Sequence, residues 1–350
     1  MQQRLHKFRR DPDRIHNRKI NDRSVAIIAT IARYRFIPTS LLIRLVPGNE
    51  DVTHRHLQYL YHKGFINRFT FPRLGTPGEF IYYLDSTAAL QLLVEHGGHR
   101  PEDLDWEGVR RNKEKSYADI HDRTRADVVL GRLLFLHHEV MISRFHGALE
   151  LACQRSSDSV ELAAWRQGSD LWNSVEVPLI RYDSQAESWY EEDETEILPH
   201  RPDAFFTLRF PGMPEGQQRA NFFYEADRKN TVVKKFRKKL RAHFHFIVRQ
   251  RKHEEHYGIK RIRAVLIETL DAGWAEELRQ AARHFTVSGE KLTPLFWFTT
   301  SELFTKQHEI TEGKTVQRTR KVPQFLLRPE IVFDRIWATP VDNALHSLLE

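Results

Sequence analysis

The stretch PTSLLIRLVPGNEDVTHRHLQYLYHKGFINRF, residues 38–69, decides how the first part of the chain is read. Pro38-Thr39-Ser40 opens a short helix carrying Leu41, Leu42 and Leu45, and Pro47-Gly48 stops it. A further helix is predicted over residues 50–62, with Val52, Leu57, Leu60 and Tyr61 on its apolar face and Gly64 as its stop. Upstream, Asn21 or Asp22 is suited to cap a helix whose apolar positions are Val25, Ile28, Ile31 and Ala32, ending near Tyr34-Arg35. Downstream, strand-like runs at 65–71 and 79–84 flank the turn-rich tip 72–78, and a helix over 86–96 closes at Gly97-Gly98.

Three helices followed by a hairpin is the order of a winged helix-turn-helix, whose third helix enters the major groove. The polar face of that helix offers Thr53, His54, Arg55, Gln58 and His62. Arg and Gln make bidentate contacts to guanine and adenine edges. Arg68 and Arg73, on the hairpin, are expected to reach phosphate or the minor groove. Double-stranded DNA is therefore the expected partner.

Charge supports a polyanionic partner. The 350 residues carry a formal net charge of +7, with 54 Lys and Arg against 47 Asp and Glu. Basic residues crowd 4–23, 108–125 and 228–263, and acids crowd 187–196. Nucleic acid fits better than a membrane surface, because no basic helix carries a separate membrane-inserting aromatic face. No run of 18 apolar residues predicts a membrane span, and the charged first residues lack the apolar core of a secretory signal. The single Cys153 leaves no disulfide framework and no cysteine-rich zinc site. These features point to reducing cytoplasm. The expected organisation is a basic arm over 1–20, the winged-helix module over 21–97, a linker over 98–115 and an α/β domain over 116–350. A homodimer stays open, since no heptad seam is visible.

In the second domain, helices are predicted over 117–137 and 142–154, and strands at 160–166, 204–210, 220–226, 262–266, 295–299 and 331–333. A basic amphipathic helix is expected over 231–251 and another helix over 272–284, with the acidic 187–196 as a surface loop. Alternating strands and helices imply an α/β layer with a mixed sheet. Lys234, Lys235, Lys238 and Lys239 on the basic helix are expected to meet phosphate.

Pro202-Asp203 opens one strand, and Glu225 and Asp227, two apart, share a face of another. If the strands are neighbours, Asp203, Glu225 and Asp227 converge, and such a cluster needs a counter-charge. Mg²⁺, with its hard oxygen ligands, is the natural candidate, and it can activate water for phosphodiester cleavage. His121 is a second candidate for this site. His243/His245 and His253/His256 lack the i,i+4 spacing of a helical zinc pair.

This pattern resembles the PD-(D/E)xK nuclease fold. The resemblance implies that Asp203 and Glu225 hold metal and that a lysine two residues on assists the attacking water. Asp227 stands at that lysine position, so either Lys229, Lys234 or Lys235 takes over from a displaced position or the site does not cut. The whole layout, from about residue 22 to 246, is similar to the replication-relaxation family. The local matches are Arg35-Phe36, Gly64-Phe65-Ile66, Pro202-Asp203-Ala204 and Glu225-Ala226-Asp227-Arg228. That resemblance implies a DNA transaction of a bacterial plasmid or mobile element, in replication or mobilisation. Three roles follow as expectations: a DNA-binding protein with a degenerate nuclease-like domain, an Mg²⁺-dependent endonuclease aimed by the winged helix, or an interaction scaffold in a replication or conjugation complex.

Overall fold

The computed structural model describes residues 10, 20–71, 78–115, 117, 126–229, 231–312 and 320–350. The chain divides into two compact units, residues 1–147 with 308–326, and residues 148–307 with 327–350. Mixed α/β structure prevails, with several helices and a seven-stranded sheet.

The first unit begins α1 (Asp22–Tyr34), β1 (Phe36–Pro38), α2 (Thr39–Leu45), α3 (Glu50–His62), β2 (Asn67–Phe69) and β3 (Ile81–Tyr83). Side-chain caps set both longer helices. Asn21 accepts from the Ser24 amide at the start of α1, and Asn49 from the Val52 amide at the start of α3. Gly64 (φ +77°) supplies the left-handed residue that ends α3, and the Phe65 amide returns to the Leu60 carbonyl at 3.1 Å. The chain then enters an antiparallel sheet of order β1-β3-β2. Phe36, Phe69, Ile81 and Tyr83 from that sheet are buried with Tyr117, Leu136 and Val140.

Two sequence expectations change in this unit. Residues 106–115, expected within a linker, form α5 (Trp106–Lys115), which follows α4 (Thr87–His96). Asp105 accepts from the Gly108 amide at 2.7 Å, and Asn112 donates to the Leu84 carbonyl at 2.9 Å. Val109 is its buried apolar residue, so the charged segment shows no helical period in sequence. The two helices expected over 117–137 and 142–154 are replaced by one, α6 (Ala126–Arg155), uninterrupted through His137–Ile142.

The second unit is built on a sheet of order β14-β13-β10-β9-β8-β7-β4. These strands are β4 (Glu161–Arg166), β7 (Ala204–Arg209), β8 (Arg219–Asp227), β9 (Ala264–Thr269), β10 (Phe296–Thr300), β13 (Trp337–Ala338) and β14 (Leu345–His346). β8, β9 and β10 run parallel and the flanking pairs antiparallel. The parallel strands are joined through α7 (Val233–Phe244) and α8 (Lys252–Tyr257), and then through α9 (Ala272–Ala282) and α10 (Phe285–Ser288). Phe205, Phe223, Val265, Ile267, Phe296 and Phe298 form one core with Phe236, Leu240, Trp274 and Leu278 of the helices. The basic helix expected over 231–251 runs from Val233 to Arg249, α-helical in α7 and π-helical over His245–Arg249, and Arg251 then adopts φ +52°. Two further strands, β11 (Thr305–Glu312) and β12 (Arg320–Leu327), follow α11 (Ser301–Phe304) and pair with each other, and residues 308–326 of this pair count with the first unit.

The acidic segment 187–196, expected as a loop, is strand. β5 (Asn173–Asp183) and β6 (Ser188–His200) pair as a long two-stranded ribbon from Asn173↔His200 to Asp183↔Ser188. Its outer part buries neither face, so no period-two apolar pattern marks it in sequence. The strand expected at 331–333 is absent. Pro329–Ile331 is a 3₁₀ turn, in keeping with Pro at its first position. Among the described residues no helix is long and apolar enough to cross a membrane.

Candidate functional site

Two groups of side chains carry the candidate chemistry. The first is the outer surface of α3. His54, Arg55 and Gln58 are exposed on successive turns, and His54 lies 3.6 Å from Glu50 one turn earlier. His62 is half-buried against the Tyr61 ring. Thr53 departs from the expected reading face. It is fully buried, accepts from the Arg23 guanidinium at 2.7 Å and donates to the Asn49 carbonyl at 3.1 Å, so it ties α3 to α1. Arg68 also turns inward. Its guanidinium lies 4.2 Å from the centroids of both Tyr61 and Phe80, and only 8% of the residue is exposed. A cation held between two rings is a packing element and is not offered to phosphate. Arg73 and His121 lie outside the described residues.

The second group sits where β7 begins and β8 ends. The antiparallel register Ala204↔Tyr224 puts Asp203 across from Glu225, and the Asp203 carboxylate accepts from the Ala226 amide at 2.8 Å. Glu225 is 1% exposed. From α7, Lys239 forms an ion pair with Glu225 Oε2 and lies 4.0 Å from Asp203. One helical turn on, His243 Nε2 meets Glu225 Oε1 at 2.6 Å. His200 Nε2 lies 3.0 Å from His243 Nδ1, and its ring stacks on Phe246. With Glu225 as the acceptor, His243 donates from Nε2 and accepts at Nδ1 from His200. A fixed chain runs from Lys239 through Glu225 and His243 to His200.

Electrostatics follow from burial. Burial drives the Glu225 carboxyl well above its usual range; the Lys239 ammonium pulls against this, while Asp203 adds to it. Burial alone would lower Lys239, but Glu225 and Asp203 outweigh it and hold the ammonium charged above its ordinary value. Burial, then the nearby Lys239 charge, pushes His243 down to about 3. His200 is likewise held well below its usual value, by burial and then by His243 and Lys239. Both imidazoles are neutral.

Glu225 and Asp227 both meet helices, Glu225 through α7 and Asp227 through α9, but they do not share a ligand. Asp227 accepts from Trp274 Nε1 at 2.6 Å and from the Lys229 amide at 2.8 Å. Among the described residues no group of three His, Cys, Asp or Glu is placed to hold a metal ion. The expected Mg²⁺ set of Asp203, Glu225 and Asp227 therefore does not fit this arrangement: a lysine stands where the counter-charge was assigned to metal. Nor do the lysines suggested as replacements reach the carboxylates. Lys229 (φ +60°) lays its ammonium 5.3 Å from the Trp274 ring, and Lys234 and Lys235 are exposed. Lys238 is paired with Glu196 at 2.7 Å. Of the four helix lysines expected at phosphate, Lys234 and Lys235 keep exposed ammonium groups, while Lys239 is committed inward.

Sequence reasoning missed His243, His200 and the role of Lys239. The available signal was spacing: Lys239 and His243 are four apart and fall on the α7 face turned to the sheet. On the other sheet face, Tyr224 donates to the buried Glu268 at 2.7 Å.

The chain matches a known protein family. The model of the replication-relaxation family covers residues 28–262. No curated protein and no solved structure matches the chain.

Proposed function

Since the chain belongs to the replication-relaxation family, we propose that it is a DNA-binding protein acting in the replication or mobilisation of a bacterial plasmid or mobile element. In this reading residues 21–97 are a winged-helix module that selects double-stranded DNA. The second unit is a degenerate PD-(D/E)xK-like domain that holds the DNA backbone, or a replication or conjugation protein, without cutting. The carrying observation is the exposed row His54, Arg55 and Gln58 on α3, mounted beside the β1-β3-β2 sheet. Arg and Gln on a helix set for the major groove supply direct base readout. Lys234 and Lys235 supply charge for phosphate. Selection of duplexes from a random pool by the intact protein, followed by anisotropy titration, tests the assignment. Replacing Arg55 and Gln58 with Ala should erase the preference for the selected sequence.

One observation supports a second reading, a DNA endonuclease. Asp203, Glu225 and Lys239 bring together the residue types of a nuclease set, with the lysine moved from the strand to the helix. Among the described residues the carboxylates do not form a metal ligand set. Incubation of supercoiled plasmid with Mg²⁺ or Mn²⁺ separates the readings. Nicking that disappears in Glu225→Ala would replace the non-cutting reading with the endonuclease.

A further inference from the structure

The β5–β6 ribbon has a fastened base and an uncovered outer part. At the base, Val175, Val177 and Leu198 pack with Ala242 of α7, and Glu196 meets Lys238 and Arg241. Beyond Pro178, the cross-strand pair Tyr182 and Trp189 stand with ring centroids 5.1 Å apart, and Trp189 touches the edge of His284. Tyr182 remains 51% exposed and Trp189 37%. Glu191 and Asp193, two and four residues on from Trp189, are exposed on the same face, while Tyr190 stands on the opposite face across from Arg181. Large rings left in water next to one another mark a protein contact, since aromatic side chains dominate such contacts when buried.

Charge selects the occupant. DNA phosphates and anionic lipid headgroups are repelled by the same carboxylates. A second copy docking ribbon to ribbon would oppose acid to acid, and head-to-tail docking of copies need not close into a finite assembly. We propose that the outer part of the ribbon docks a Lys- and Arg-rich segment of a partner protein. Its cations would lie over the Tyr182 and Trp189 rings and pair with Glu191 and Asp193, while its apolar side chains cover the rings. This contact is independent of DNA recognition by α3.

The probe is a short fluorescein-labelled peptide of alternating Lys and Leu, titrated with the full chain at physiological salt. The wild type should bind it. Tyr182→Ser/Trp189→Ser, which keeps every carboxylate, should weaken binding about tenfold. Glu191→Gln/Asp193→Asn, which keeps every ring, should weaken it to a similar extent. Tyr182→Ser alone serves where the double aromatic variant fails to fold, and it should also weaken binding, whereas Tyr190→Ser, on the opposite face, should leave it unchanged. Absence of wild-type binding overturns the proposal. So does a folded ring variant that binds like wild type, because the attraction is then bare charge. Competition by a Glu-Leu peptide of equal length overturns it as well.

Discussion

Lys239→Met leaves the Glu225 carboxylate, 1% exposed, without its counter-charge. Removing one partner of a fully buried ion pair costs about 3–5 kcal/mol. The Lys239 side chain is 34% exposed, so water partly replaces the ammonium, and the expected loss falls to about 1–3 kcal/mol. The sign with pH follows from the causes acting on Glu225. With Lys239 gone, burial and Asp203 both push its carboxyl upward unopposed. A carboxyl raised in the folded state stabilises below its unfolded value, near 4.3, and loses that stability as pH rises through its folded value. The deficit of Lys239→Met against wild type should therefore be largest near pH 8 and shrink toward pH 5. Urea unfolding followed by tryptophan fluorescence reads both, with Trp274 hydrogen-bonded to the nearby Asp227. In a Glu225→Gln background the same lysine change should cost much less, because no charge is stranded, and the double-mutant cycle isolates the pair. A deficit that is absent, independent of pH, or equally large in the Glu225→Gln background would refute the claim that Lys239 neutralises a buried acid.

Other outcomes follow from the same geometry. Arg68→Ala should lower stability by about 1–3 kcal/mol through loss of the Tyr61–Phe80 stack while leaving the salt slope of DNA binding intact; a changed slope would return Arg68 to the phosphate contacts. Lys234→Gln/Lys235→Gln should reduce that slope by up to about 0.9 per lysine, whereas Lys238→Gln, already paired with Glu196, should change it less; equal effects would refute this ordering. Neutral His243, pushed down to about 3, contributes stability that is present above the ordinary histidine range near pH 6.5 and is lost as pH falls toward 3. His243→Gln should flatten the acid limb of a stability–pH curve by roughly 1 kcal/mol per pH unit, and an unchanged limb would show that His243 is charged in the folded state.

The legible parts of the chain are those where local chemistry and burial agree. Asn21 and Gly64 mark helix ends in the sequence, and each acts there in the structure, whereas the cap of α3, Asn49, emerges only in the fold. The two apolar runs and the acids at their ends are readable in the sequence, while the β7–β8 pairing that brings Asp203 to Glu225 is supplied by the fold. What was hidden had no periodic mark. The outer ribbon exposes both faces, and α5 has little beyond Val109 to bury. Charge type was legible but direction was not: Lys238 and Lys239 are adjacent, yet Lys238 meets the ribbon acid Glu196 while Lys239 meets Glu225. Thr53 and Arg68 misled for the same reason, since a polar residue on a predicted surface can be satisfied within the fold by Arg23 or by two rings.

The proposed recognition of DNA by α3 is read out by one titration. Duplexes selected by the intact protein are labelled, and anisotropy is measured with wild type and with Arg55→Ala/Gln58→Ala, against the selected and a scrambled sequence. Wild type should prefer the selected sequence, and the variant should bind both sequences with similar weak, salt-sensitive affinity, each lost bidentate contact weakening discrimination by about 1–3 kcal/mol. A pool that yields no preferred sequence, or a variant that keeps the wild-type preference, would contradict it.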